Sequence, residues 1–128
     1  MIGIDTNVLV RLLVADDHIQ AHKAKKLLEQ CKPVFVSTIV LCETAWVLES
    51  RYHFSKKELI DALEYILKAI HFEVENRDAV WLAFAEFQYL SMGFSDCVIG
   101  AIGRWYGCDY VATFDRKTLK SKQFRLTR

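Results

Sequence analysis

Short apolar runs rich in β-branched residues alternate along this chain with longer stretches of helical apolar spacing. That alternation limits what the chain can fold into more than any other feature. The short runs are MIGID, PVFVS, FEVE, DYVAT and QFRLT. Between them lie TNVLVRLLVA, HIQAHKAKKLLEQC, TIVLCETAWVLESRY, SKKELIDALEYILKAI, NRDAVWLAFAEFQYLS and SDCVIGAIGRWYG. Parallel strands need long crossovers, which these helical stretches supply, so the pattern predicts an α/β fold with a largely parallel sheet. MIGID reads as a short buried strand, QFRLT as a last strand suited to an edge, and FDRKTLKS as a turn with a helical piece. Several helix starts are written locally: Asp5 before Thr6, Asn76 before the helix that follows it, and Ser55 with Glu58 in capping-box spacing.

The 128 residues suit one domain over 1–128, large enough to bury roughly two thirds of its unfolded surface. With a single proline and no repeat or low-complexity stretch, nothing marks a linker. No apolar run approaches the roughly 18 residues of a membrane span, and the N-terminus lacks the pattern of a secretory leader. Cys31, Cys42, Cys97 and Cys108 form no C-x-x-C pair and lie in or beside apolar segments, which predicts buried, reduced thiols in a cytoplasmic protein. The net charge of +1 conceals an asymmetry. Residues 1–115 carry eleven Lys/Arg against all sixteen Asp/Glu, whereas the last thirteen, RKTLKSKQFRLTR, carry six cations and no acid. A basic strip on an acidic body suits an anionic partner that meets one face, and equally suits plain solubility.

Four acids stand out. Ligands of parallel sheets bind beyond the carboxyl ends of the strands. Asp5 closes the first strand and Asp115 follows shortly after DYVAT, at the same edge. Asp96 opens a helix, where the helix dipole alone would welcome an acid. Glu43 is the only charge in TIVLCETAWVL and shares a helical row with Ile39, Trp46 and Val47, which predicts a place on a buried face. A carboxylate there needs a cation, either Arg11 or Arg104 in a salt bridge or a metal ion. Clustered carboxylates repel one another, and a hard divalent cation such as Mg²⁺ or Mn²⁺ relieves the repulsion. His18 and His22 share one helix face but have no third ligand nearby in sequence, so they read as surface residues and not as a zinc site.

The ordered set of IDTN around residue 5, an isolated Glu43 in the helix after the second strand, SDC at 95–97 opening a Gly/Ala-rich helix, and TFDRK at 113–117 resembles the PIN-domain ribonuclease family. The small size resembles its stand-alone toxin branch, the VapC-type toxins of toxin–antitoxin pairs. The resemblance spans roughly residues 2 to 126. It implies a three-layer α/β/α domain with a central, mostly parallel sheet of four to five strands. It also implies Mg²⁺- or Mn²⁺-dependent hydrolysis of RNA, with Asp5, Glu43, Asp96 and Asp115 as metal-binding catalytic residues. Thr6 or Asn7, and Thr113, match small polar residues that steady those carboxylates. Gly100 and Gly103 stand where alanines are commoner. The implied partners are an RNA substrate, a cognate VapB-like antitoxin and a second copy of the chain, with no membrane.

Arg116, Lys117, Lys120 and Lys122 begin directly after Asp115 and would hold an RNA backbone beside the metal. Phe114 and Phe124 fit core positions, so no stacking platform is expected there, and Trp46, Trp81 and Tyr89 suit the core first and an interface second. Two other classes of function remain open at this point. One is a non-catalytic PIN-like domain that binds RNA or protein. The other is a phosphohydrolase using Asp5 as nucleophile, which usually requires a second acid where this chain has Asn7.

Overall fold

The computed structural model describes residues 1–127, so Arg128, the last cation of the basic strip, lies outside the described residues. The chain divides into two compact units, Met1–Glu75 and Asn76–Arg128. In order, the first holds β1 (Ile2–Gly3), α1 (Thr6–Leu13), α2 (His18–Cys31), β2 (Val34–Val36), α3 (Thr38–Ser50), α4 (Lys56–Lys68) and β3 (Phe72–Val74). The second holds α5 (Arg77–Phe87), α6 (Phe94–Trp105), β4 (Val111–Thr113), a 3-10 turn (Arg116–Lys120) and β5 (Phe124–Leu126). The expected α/β fold is present and every strand pair is parallel. The five strands are hydrogen-bonded as three plus two, β1-β2-β3 and β4-β5.

In the first unit β2 is the middle strand, with Val34 opposite Ile2 on one side and Phe72 on the other. Val34 and Val36 are buried, as expected for a central parallel strand, and so are Phe72 and Val74 of β3. The first strand departs from expectation. It is only two residues long and exposed, and burial begins at Ile4, just past the ladder. Its ladder with β2 is only two residues long, Ile2 opposite Val34 and Gly3 opposite Phe35, one residue shorter than that of β3. Polar side chains start the helices. Asp17 accepts from the Gln20 N–H at 3.0 Å and Ser37 from the Val40 N–H at 3.2 Å. Before α4 the capping box is complete: Ser55 Oγ accepts from Glu58 N–H at 3.1 Å, and Glu58 Oε1 accepts from Ser55 N–H at 2.9 Å.

In the second unit α5 lies against α6, with Phe87 and Phe94 meeting edge to face at 5.6 Å. Asn76 precedes α5 as expected, but it adopts a left-handed backbone (φ 50°) and its side chain makes no capping bond. The two glycines of α6 are there for space. A Cβ on Gly100 would lie 2.9 Å from the Phe124 ring and 3.0 Å from Gln123 Cβ, and one on Gly103 would lie 2.9 Å from Val111 Cγ2. These glycines let α6 lie close against β4 and β5.

No disulfide joins the cysteines among the described residues, but only Cys97 is buried; Cys31 and Cys42 are half-buried and Cys108 is exposed. Trp46 (62% exposed) and Tyr89 (75%) are not core residues, while Trp81 is half-buried against Phe84. Trp46 and Trp81 sit on helices that are apolar around much of their circumference, so residue type alone does not identify the packed face, and Tyr89 lies in the turn past the end of α5.

Two outcomes follow. Gly100→Ala should destabilise the protein by about 1–3 kcal/mol through overpacking against Phe124, read as a lower midpoint in urea unfolding. The Glu58 carboxyl is held below its ordinary pKa by the Ser55 backbone N–H first and the Ser55 hydroxyl second. A depressed carboxylate pKa contributes stability above the unfolded value that is lost as pH falls through the folded one. Glu58→Gln should therefore lower stability near neutrality and converge on wild type at low pH, which flattens the acid limb of a stability–pH curve.

Candidate functional site

Asp5 lies two residues beyond β1 and caps α1, its Oδ1 accepting from the Val8 N–H at 3.0 Å. One carboxylate oxygen is thereby fixed by the backbone while the side chain stays exposed. Thr6, the next residue, is buried, and its hydroxyl donates to Glu43 Oε1. That bond ties the start of α1 to the middle of α3. Asn7 is exposed.

Glu43 is on α3 as expected, but not on a buried face. The buried side of α3 is Leu41, Thr44, Ala45 and Leu48, while Glu43 is exposed together with Ile39 (79%) and Trp46 (62%). The helix is apolar nearly all round, so its period does not select an inner face, and packing against α1 and α4 does. Arg11, a candidate counter-ion for Glu43, is engaged elsewhere. Its guanidinium bonds Asp16 Oδ1 at 3.0 Å, the Tyr52 hydroxyl at 3.1 Å and Gln20 Oε1 at 2.8 Å. Tyr52 in turn donates to Asp16 Oδ2 at 2.8 Å. The Tyr52 bond, then the Arg11 charge, lowers the Asp16 pKa; Tyr52 and then Asp16 raise that of Arg11, against some desolvation.

A groove of ≈ 290 Å³ between α1 and α2 opens beside Asp5, with Asn7, Arg11, Gln20 and Lys23 among its lining. Sequence reasoning did not place Arg11 and Lys23 beside Asp5. The available signal was the three-residue spacing of Asp5, Val8 and Arg11, which puts them on one side of the helix that Asp5 caps.

In the second unit Asp96 occupies the first turn of α6 and is half-buried. Asp115 starts the 3-10 turn, its Oδ1 accepting from the Lys117 N–H at 2.9 Å. The segment around it is tightly bonded. Thr113 Oγ1 accepts from the Asp115 N–H at 2.9 Å, and the Thr118 hydroxyl, in a buried residue, donates to the Asp115 carbonyl at 2.7 Å. Phe114, between Thr113 and Asp115, is 83% exposed, whereas Phe124 is buried. The expectation that both are core is half wrong. Phe124 fills the space left by Gly100, but the ladder ends at Thr113 and Phe114 falls beyond it.

The strip after Asp115 is exposed from Arg116 to Arg125 at every cation. Lys120 Nζ donates to the Ser91 carbonyl at 3.0 Å, and Arg125 lies over the Tyr110 ring at 4.8 Å. His18 and His22 are exposed surface residues. Among the described residues none of the four acids is in an ion pair, and no three His, Cys, Asp or Glu side chains stand together as a group able to hold a metal. Within each unit the chemistry of the donors nevertheless suits a hard cation. They are carboxylate oxygens without an ion-pair partner among the described residues, and those of Asp5, Glu43 and Asp115 are held by a hydroxyl or a backbone N–H. No helix among the described residues is long and apolar enough to cross a membrane.

Comparison with known proteins adds three findings. A family model described as the PIN domain matches residues 2–124. Among proteins of curated function, no sequence matches this chain. Solved structures similar to it include the Mycobacterium tuberculosis toxin VapC20, described as cleaving the sarcin–ricin loop. That likeness has a TM-score of 0.48 at 23% identity, over 89% of this chain and 88% of the other.

The caps give Asp115 a clean test. Asn accepts the same Lys117 N–H, so Asp115→Asn should unfold within about 0.5 kcal/mol of wild type, while Asp115→Ala should lose about 1 kcal/mol. Chemical denaturation in a chelating buffer reads both, and equal losses would show that the cap bond contributes nothing.

Proposed function

Because the chain belongs to the PIN domain family, we propose that it is a metal-dependent endoribonuclease acting as a VapC-like toxin. The ligands we assign to a Mg²⁺ or Mn²⁺ ion are Asp5, Glu43, Asp96 and Asp115. The observation that carries this reading is that none of these four acids has a cationic partner among the described residues. Asp5, Glu43 and Asp115 are each held through one oxygen by a backbone N–H or a hydroxyl and have the other to spare.

Bound to them, the ion would supply Lewis acidity toward the phosphate and a water acidified for attack on phosphorus. The chain's own residues do the positioning. Thr6 orients Glu43 through its hydroxyl. The α1 cap leaves Asp5 with its second oxygen for a ligand, and the Lys117 N–H does the same for Asp115. Thr113 fixes the backbone of Asp115. Arg116, Lys117 and Lys122 contact phosphates without reading sequence, and Lys120 also braces the Ser91 carbonyl. Hydrolysis in this manner leaves a 5′-phosphate and a 3′-hydroxyl. In this reading residues 1–128 form a single catalytic domain in the cytoplasm, paired with a second copy and silenced by a small VapB-like antitoxin.

A second reading, a non-catalytic RNA- or protein-binding domain, draws on one observation: no group of three or more acids stands together among the described residues. Expression in a bacterium separates the two. Wild type should arrest growth and generate new RNA 5′ ends, and Asp5→Asn and Glu43→Gln should abolish both at equal protein levels. Persistent toxicity with the same cleavage map in Asp5→Asn would overturn the assignment of this site.

The strip gives a quantitative outcome. Each phosphate contact contributes somewhat under one unit to the slope of log affinity against log salt, about 0.7 for single strands. Replacing Lys117, Lys120 and Lys122 together by Ala should lower that slope and weaken binding to many RNAs alike. An unchanged slope would mean that the strip serves solubility.

A further inference from the structure

Phe114 is the most exposed aromatic side chain among the described residues, at 83%. An aromatic ring left in water forgoes the stabilisation of burial, so its placement calls for a reason. The ring is not on a floppy segment. On one side Thr113 is in the β4–β5 ladder, and its carbonyl accepts from the Thr127 N–H at 2.8 Å. On the other, Asp115 is held through its N–H, its carboxylate and its carbonyl, by Thr113, Lys117 and Thr118. Phe114 is thus presented from a backbone pinned on both flanks. The side chains next to it are not those of an apolar interface. One neighbour is a carboxylate assigned to the metal, and beyond it come Arg116 and Lys117, both exposed and with no ion pair among the described residues.

A single exposed ring beside free cations matches the recognition mode of single-stranded nucleic acid, in which bases stack on aromatic faces while Lys and Arg follow the phosphates. We propose that Phe114 is a stacking residue, its ring receiving one unpaired RNA base next to the bond to be cut while Arg116 and Lys117 hold the adjoining phosphates. This inference rests on the ribonuclease reading and deepens it. The substrate class it names is RNA that is single-stranded, or whose base can be splayed out, at the cut. Base identity would matter little to the ring itself, since every base has a π-face.

The test uses the full-length protein, Phe114→Ala, Phe114→Leu and Phe114→Trp, and a short single-stranded oligoribonucleotide of randomised sequence. Affinity is measured in chelating buffer, where no cleavage occurs, and cleavage is then measured with Mn²⁺. Phe114→Ala should weaken binding about 5- to 100-fold, with an unchanged salt slope, because no phosphate contact is lost. Phe114→Leu, apolar but without a π-face, should behave as Ala does. Phe114→Trp should bind at least as well as wild type, and its added emission should be quenched by RNA. Oligonucleotides fully paired into a duplex should bind wild type and Phe114→Ala alike.

The outcomes separate the two ideas. Wild type that cuts RNA, with Phe114→Ala binding and cutting equally well, overturns stacking and leaves the nuclease reading intact. Binding that depends on Phe114 with no metal-dependent cut overturns the nuclease reading and supports stacking. A shift from dimer to monomer in Phe114→Ala with RNA affinity unchanged would make the ring a contact between copies and overturn the proposal. No RNA binding by wild type would overturn it as well.

Discussion

A carboxylate that caps the helix or turn following its own strand is the interaction on which the candidate site depends. It occurs twice. Asp5 follows β1 and accepts from the Val8 N–H at 3.0 Å; Asp115 follows β4 and accepts from the Lys117 N–H at 2.9 Å. In each case the backbone bond fixes one oxygen of a side chain that would otherwise be free in solvent, and the other oxygen remains for a ligand. The cap at Asp5 is therefore compatible with the ligand role proposed for it. The same residue starts a helix and presents charge at the exit of a parallel strand, where ligands of such folds bind.

The packing around these caps serves the same end with different means in the two units. In the first, buried Thr6 carries the link from α1 to Glu43. A hydroxyl suits this place because it donates to a carboxylate without bringing a charge to compete with a cation. Arg11, which could have neutralised the site, is held instead by Asp16, Gln20 and Tyr52. In the second unit, Gly100 and Gly103 allow α6 to approach Phe124 and Val111 within the space a Cβ would need. Thr113 and Thr118 then lock the segment that carries Phe114 and Asp115. Glycine where the family resemblance leads one to expect alanine is thus a packing choice of this chain, set by the bulk of the residues facing the helix.

Much of this was legible in the residues. The Ser55–Glu58 box, the cap at Asp5 and the 3-10 piece after Asp115 follow from signals that act within about four residues, and the parallel pairing follows from the alternation of whole strand and helix segments. What escaped were questions of facing. Glu43 and Trp46 looked inward because they sit in an apolar helix, and Tyr89 because the apolar pattern of α5 runs on past its end at Phe87, yet all three are exposed. Asn76 looked like a cap, but its left-handed backbone leaves its side chain without a capping bond. Phe114 and Phe124, ten residues apart and alike in composition, differ because only Phe124 lies in the ladder, against α6.

The sequence by itself determined which segments are helix and which are strand, where most of them begin, and the order of the four acids that point to a PIN-domain nuclease. Hydrogen bonds between near neighbours and apolar periods are local, and each is written in a few adjacent residues. The tertiary structure alone decided which side of α3 is covered, which cation Arg11 would not be, and which phenylalanine is left in water. Those outcomes depend on what packs against each element from a distant part of the chain. An element that is apolar on every side holds no local record of which neighbour will cover it.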